Sequence, residues 1–254
     1  TLEDAAAKPK ALGLTVKGDL SLQDTSTLLL TGKLNAASLV MGSSTLTLTN
    51  ATPQSITLSG KNAANSLTSS SIEADASMSV TGGLQLTDSS LSLKDDADPA
   101  KEAKKKKALG LTVKGALAIA DAAKDDATEL YLTGKLTAGS MNLTNADITL
   151  QNTQAAQSIT LNLAKDADKQ PVINTLTGSS LYANGSMTVA GSLALNNTSI
   201  ALVDDAAKPK AMGLTVKGAL AIADAAKDDA TELYLTGKLT AGSMNLTNAD
   251  ITLQ

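Results

Sequence analysis

"GSMTVAGSLALNNTSIAL", residues 185–202, decides the fold. Met187, Val189, Leu193, Leu195, Ile200 and Leu202 alternate with Ser, Thr, Ala and Asn. A period of two is the signature of a strand with one buried face. The runs are only three to five residues long. Apolar positions of adjoining runs lie six or seven residues apart, as in Val189, Leu195 and Leu202, or Leu136, Leu143 and Leu150. Gly or Asn stands between the runs. Gly is expected there to supply the positive φ of a tight corner, and Asn to tolerate the left-handed region. Strands this short, with corners at this spacing, predict the faces of a parallel β-solenoid. One coil alone cannot bury its inward row, but stacked coils share a continuous apolar column. Three faces and a loop take roughly 20–27 residues per coil, and ten or so coils at the interstrand spacing make a rod of roughly 50 Å.

The pattern repeats on a larger scale. Gly110–Gln151 recurs letter for letter as Gly213–Gln254. Extended back to Ala108 and Ala211, the copies differ only at Leu109 and Met212. A more divergent copy begins at Ala11, with the same "GLTVKG" and "LTGKL". "QSITL" occurs at 54–58 and 157–161. The chain reads as one continuous solenoid, 1–254, with modules at about 1–107, 108–210 and a partial 211–254. "TLEDAAAKPKA" at the start aligns with "ALVDDAAKPKA" at 201–211, so the expectation is a segment of a longer repetitive protein. Copying of a block by design is the other origin the identical stretches allow.

Charged, Ala-rich segments break the rhythm: 95–108, 121–129, 164–171 and 224–232. They are expected as loops bulging from the coil. The rival reading makes "ALAIADAAKDDATELY" an amphipathic helix, since Ala, Leu and Glu favour one. The strand-like flanks "LTVKG" and "LTGKL" favour loops.

Composition narrows the function. Hydrophobic residues make up 43% of the chain, yet Phe and Trp are absent and there are three Tyr. A wide globular core normally relies on aromatics, so a narrow interior of Leu, Ile, Val, Met and Ala is expected. The chain has no Cys and no His, which rules out disulfides, thiol catalysis, imidazole acid–base chemistry and Cys/His metal sites. Net charge is −4, with no basic footprint for nucleic acid. No stretch approaches the roughly 18 apolar residues of a membrane-spanning helix. The first residues do not read as a signal peptide, so export is expected to depend on a segment outside this sequence.

Four acidic pairs are the first candidates for chemistry: Asp95-Asp96, Asp125-Asp126, Asp204-Asp205 and Asp228-Asp229. Paired carboxylates can bind calcium or act as the acid and nucleophile of a glycosidase. These recur module after module beside Lys, and none fits a calcium-loop pattern. They read as solvated loop charge. Lys104–Lys107 reads the same way. Thr45, Thr47 and Thr49 share one face of a strand and raise the idea of an ice-binding threonine array. The threonines are not expected to align from coil to coil, and Thr simply suits a solvated strand. The sequons at Asn50, Asn142, Asn184, Asn197 and Asn245 are expected by chance in so Asn- and Thr-rich a chain. No catalytic, cofactor or metal residue is assigned. Tyr131, Tyr182 and Tyr234 are the only aromatic platforms a sugar could use.

Repeats such as "GSMTVAGSLALNNTSIAL", free of Cys, poor in aromatics and rich in Ser, Thr, Asn and Gly, resemble the passenger regions of bacterial autotransporters and related surface adhesins. The resemblance is one of style across most of the chain and rests on no family-specific motif. It implies an all-β, right-handed parallel β-helix with charged Ala/Lys/Asp loop insertions, displayed outside a bacterial cell. The expected role is a non-enzymatic rigid stalk, adhesin shaft or filament, with end-to-end self-association or a host or matrix glycan or protein as partner. The alternative is a solenoid that binds or cleaves polysaccharide.

Overall fold

The computed structural model describes residues 11–49, 54–61, 64–95, 107–122, 128–152, 157–163, 165–166, 168–204, 210–224 and 230–254. These residues contain 26 strands and no helix. The strands wind into ten coils, spanning 14–30, 34–48, 54–74, 76–93, 111–132, 136–150, 157–183, 185–202, 214–235 and 239–253, which we number 1 to 10. Every strand pairs in parallel with its counterpart one coil away, so the chain is an all-β parallel solenoid.

Each coil presents three faces. The third faces form a ten-stranded sheet. First and second faces belong to one sixteen-stranded sheet, because coils 5, 6, 9 and 10 run through that corner as single bent strands: Leu111–Ala120, Leu136–Thr144, Leu214–Ala223 and Leu239–Thr247. These are longer than the expected runs of three to five. "LTVKGAL" is therefore not a Gly turn between two strands. The register shifts between Val113 and Ala116, and again between Val216 and Ala219, and such a bulge absorbs the bend. The stretch proposed as an alternative helix is strand on both sides: Leu111–Ala120 precedes it and Thr128–Leu132 closes it, and 123–127 lie outside the described residues.

The inward residues stack in columns. On the first face Leu34, Ile56, Met78, Leu111, Leu136, Ile159, Met187 and Leu214 lie in register and are at most 1% exposed. The second and third faces repeat this with columns through Leu143 and Leu176 and through Ile148 and Leu181. Val189, Leu195 and Leu202 are the three faces of one coil meeting in the interior. Slender coils close on such columns without any buried aromatic, which is why the composition works.

The corners overturn one expectation. Gly178 is the one glycine with positive φ among the described residues. The left-handed corner before the third face is instead taken by Ser43, Ser69, Asp88, Asn145, Asn197 and Asn248. Glycines serve close approach. A Cβ on Gly110 would lie 2.5 Å from the carbonyl oxygen of Lys135, and one on Gly213 would lie 2.5 Å from that of Lys238.

A Ser or Thr hydroxyl follows these corners in coils 2, 3, 4, 7 and 8, whereas Ala146 and Ala249 follow Asn145 and Asn248. Ser70 donates from Oγ to the Thr68 carbonyl at 2.7 Å and accepts the Ser44 N–H at 3.1 Å. Ser89 does the same for the Thr87 carbonyl and the Ser70 N–H. Ser179, Thr198 and Thr231 continue the device further along the rod. Buried backbone groups at the bend are thereby satisfied by side chains rather than left bare.

Coils 3 and 7 leave the stack between first and second faces, at 59–65 and 162–172. Asn65 is the last residue before one second-face strand and Asn174 lies within the other, Ile173–Thr177, each in an otherwise apolar column. Asn65 accepts the Leu39 N–H at 3.1 Å and donates to the Gly83 carbonyl at 2.9 Å. Asn174 accepts the Met141 N–H at 2.8 Å and donates to the Ser192 carbonyl at 3.0 Å. Each amide side chain thus replaces a missing peptide group between the coils above and below.

Candidate functional site

The solenoid places outward residues in columns as regular as the inward ones. On the first face one column reads Thr15, Asn35, Thr57, Ser79, Thr112, Thr137, Thr160, Thr188, Thr215 and Thr240. The last six coils carry an unbroken threonine ladder. The expectation that threonines do not align is therefore wrong, and the aligned ones are not those of "TLTLTN". Coil lengths hide the alignment: successive members are 20 to 33 residues apart, so no fixed period reveals it. In the neighbouring outward column Lys33, Lys135 and Lys238 are exposed and interrupt a flat hydroxyl surface.

The third face gathers the aromatics. In register, one outward column reads Glu73, Ser92, Tyr131, Thr149, Tyr182, Ala201, Tyr234 and Thr252. All three tyrosines of the chain stand in one file, on alternate coils, with small residues between them. At the interstrand spacing their separation is about 9.6 Å. Each ring is half-buried, and the Tyr234 hydroxyl donates to Gln254 Oε1 at 2.8 Å. The adjoining column carries Glu129 opposite Asp147 and Glu232 opposite Asp250. These carboxylates lie two residues from a tyrosine or from the threonine beside one. Apart from Leu29 on coil 1, the rest of the two columns is Ser and Thr, and Lys94 pairs with Glu73 at 2.9 Å.

The sequence-derived acidic candidates divide. Asp95 and Asp204 sit at loop bases: Asp95 Oδ2 accepts the Lys107 N–H at 2.8 Å, and Asp204 Oδ2 accepts the Lys210 N–H at 2.7 Å. The first carboxylate of each of these pairs thus ties the two ends of a loop together. Asp96, Asp125, Asp126, Asp205, Asp228 and Asp229 lie outside the described residues, as do Lys104, Lys105 and Lys106. Among the described residues no three Asp or Glu side chains gather closely enough to hold a metal ion.

Asp224 is a carboxylate that sequence reading missed. It is 5% exposed and opens the loop of coil 9. Burial works against its charge, but the Asn197 N–H, the Thr231 hydroxyl and the Thr231 N–H all donate to it and hold its carboxyl below the ordinary range. Its role is to seal a corner. Among the sequons, Asn184 is 3% exposed and donates to the Asn152 carbonyl at 3.3 Å, a structural position rather than a glycan acceptor. Asn197 forms a left-handed corner, Asn142 accepts from Thr175 Oγ1 at 3.0 Å, and Asn50 lies outside the described residues.

Comparison with protein-family models, with curated proteins and with solved structures finds no match. Function must therefore be read from the columns themselves.

Proposed function

We propose that the chain is a rigid structural segment, a stalk or adhesin shaft, of a secreted or surface-displayed bacterial protein, and not an enzyme. The observation that carries this is the ten-coil stack itself: parallel backbone pairing from coil 1 to coil 10 around inward columns that are almost wholly apolar. Such a column resists bending because each strand is bonded to its neighbours above and below. It gains length by adding coils, without any new core. The near-identical modules fit that use, since a spacer tolerates duplication. The outward carboxylates recur along an open face instead of converging in a cleft. Small-angle scattering of the purified protein tests the reading: a rod about 48 Å long is expected from ten coils, and a compact sphere would overturn it.

The tyrosine file favours a second reading, a polysaccharide-binding face. The separation of the rings is close to one disaccharide of an extended glycan chain. A sugar's apolar face stacks on an aromatic ring, and flanking carboxylates such as Glu129 and Glu232 accept from its hydroxyls. Glycan-array binding that is saturable and lost in a Tyr131→Ala, Tyr182→Ala, Tyr234→Ala variant would support this face. Retention of binding in that variant would remove it.

A further inference from the structure

Two outward columns run side by side on the third face of coils 6 to 9. One reads Thr149, Tyr182, Ala201, Tyr234, and the other, two residues earlier on each strand, reads Asp147, Ser180, Ser199, Glu232. Two residues of strand set the columns about 7 Å apart. In the first, rings alternate with small residues. In the second, carboxylates bracket hydroxyls, and the result is a trough floored by Ser180 and Ser199 and closed at its ends by Asp147 and Glu232. The same trough occurs four coils earlier, where Ser71 and Ser90 lead to Glu129, beside Tyr131.

The Tyr234 hydroxyl donates to Gln254, two residues beyond the Thr252 that Tyr234 faces on the next coil. The phenol therefore leans over that coil, and a small residue there leaves it room. Thr149 beyond Tyr131 and Ala201 beyond Tyr182 leave the same room. One ring and one small residue form the repeating unit of the file, about 9.6 Å long.

That unit selects among glycan chains. In a β-1,4-linked pyranose chain each sugar is turned by half a revolution from the last, so the polymer is a flat ribbon and every second sugar repeats its orientation. Rings on alternate coils meet sugars of one orientation, and a straight file follows a straight ribbon. An α-1,4 chain curls and leaves such a file. The flanking column sorts by charge. Its carboxylates accept strongly from hydroxyls at the ribbon's edge, and they repel uronate or sulfate groups.

We propose that the third face of coils 5 to 9 binds a β-1,4-linked polysaccharide without acidic groups, laid along the solenoid axis with its first, third and fifth sugars stacked on Tyr131, Tyr182 and Tyr234 and its edge hydroxyls in the serine trough. The proposal rests on the polysaccharide-binding reading and names the ligand class. It leaves the stalk reading, which scattering tests, untouched.

The chain has no Trp and these three Tyr, so intrinsic fluorescence reads the file directly. The full 254-residue protein is titrated with cellobiose, cellotetraose and cellohexaose, and with maltohexaose and hexagalacturonate as controls; calorimetry follows the variants. Affinity should climb roughly tenfold at each step from cellobiose to cellohexaose, as further rings are engaged. Both controls should bind at least roughly tenfold more weakly than cellohexaose. A variant combining Tyr182→Ala with Ala201→Tyr keeps three rings on the face but puts the middle one out of phase. It should lose cellohexaose affinity as fully as Tyr182→Ala alone, roughly tenfold, with unchanged thermal unfolding. Ser199→Leu, at an exposed position, fills the trough and should weaken binding as well. Binding of either control as tight as that of cellohexaose, if lost on removing the tyrosines, would overturn the ligand class and leave a glycan-binding face. No gain with chain length, or undiminished affinity in the out-of-phase variant or in Ser199→Leu, would overturn the axial placement. Absence of binding by every one of these sugars would remove the glycan-binding face together with the proposal.

Discussion

The side-chain carbonyl of Asn174 accepts the backbone N–H of Met141 at 2.8 Å, while its amide donates to the Ser192 carbonyl at 3.0 Å. One buried residue thus bridges three coils where the chain has looped away. Replacing Asn174 with Leu restores the apolar column but leaves a buried donor and acceptor without partners. Each such group costs about 1–3 kcal/mol. The Asn174→Leu protein should unfold at clearly lower urea than the parent, with the earliest loss of exchange protection in coils 6 to 8.

The glycines separate by environment. Gly110→Ala forces a Cβ against the Lys135 carbonyl, and the neighbour is backbone, which cannot swing aside. Destabilisation of about 1–3 kcal/mol is expected, as for other overpacked sites. Gly18 has nothing within 4 Å of the same construction and no positive φ. Gly18→Ala should therefore be neutral to within about 0.5 kcal/mol. Paired urea titrations check both.

Asp224 makes stability depend on pH in one direction. Its folded carboxyl titrates below its ordinary value. The stability it contributes is fully present above the unfolded value of about 3.9 and is lost as pH falls through the lower folded value. Protection factors at the Asn197 and Thr231 amides should be flat from neutrality to about pH 5 and fall below about pH 4. In Asp224→Asn that acid-dependent step should disappear, at the cost of faster exchange throughout.

Glu129 faces Asp147 across adjacent strands, a like-charge pair that costs stability on a sheet. Asp147→Lys should convert it to an attractive pair and raise stability by about 0.2–1 kcal/mol, with the gain shrinking at high salt. A denaturation series at two ionic strengths measures it.

The inward columns were legible because a period of two survives in any single strand: Leu136, Leu143 and Leu150 are readable without knowing what lies above them. The outward columns were not. Tyr131, Tyr182 and Tyr234 align only after every loop length between them is known, and the threonine ladder hides for the same reason. The role of glycine was misjudged because steric closeness to a neighbouring coil, as at Gly110 and Lys135, leaves no mark on the local sequence. Asn65 and Asn174 did leave one. "NSLT" at 65–68 and "NTLT" at 174–177 each follow an interruption and open a strand. A polar residue at the first inward position after a loop is the signal that finds them.

The outward column holding Lys33, Lys135 and Lys238 shows the same residue at every fourth coil. A solenoid built on that cycle grows in quanta. Gaining or losing one complete 103-residue block returns each surface file to its phase and changes the length of the stack by about 19 Å. Unequal exchange between the duplicated stretches in the gene could therefore yield siblings of graded reach from one ancestor, each with unchanged walls.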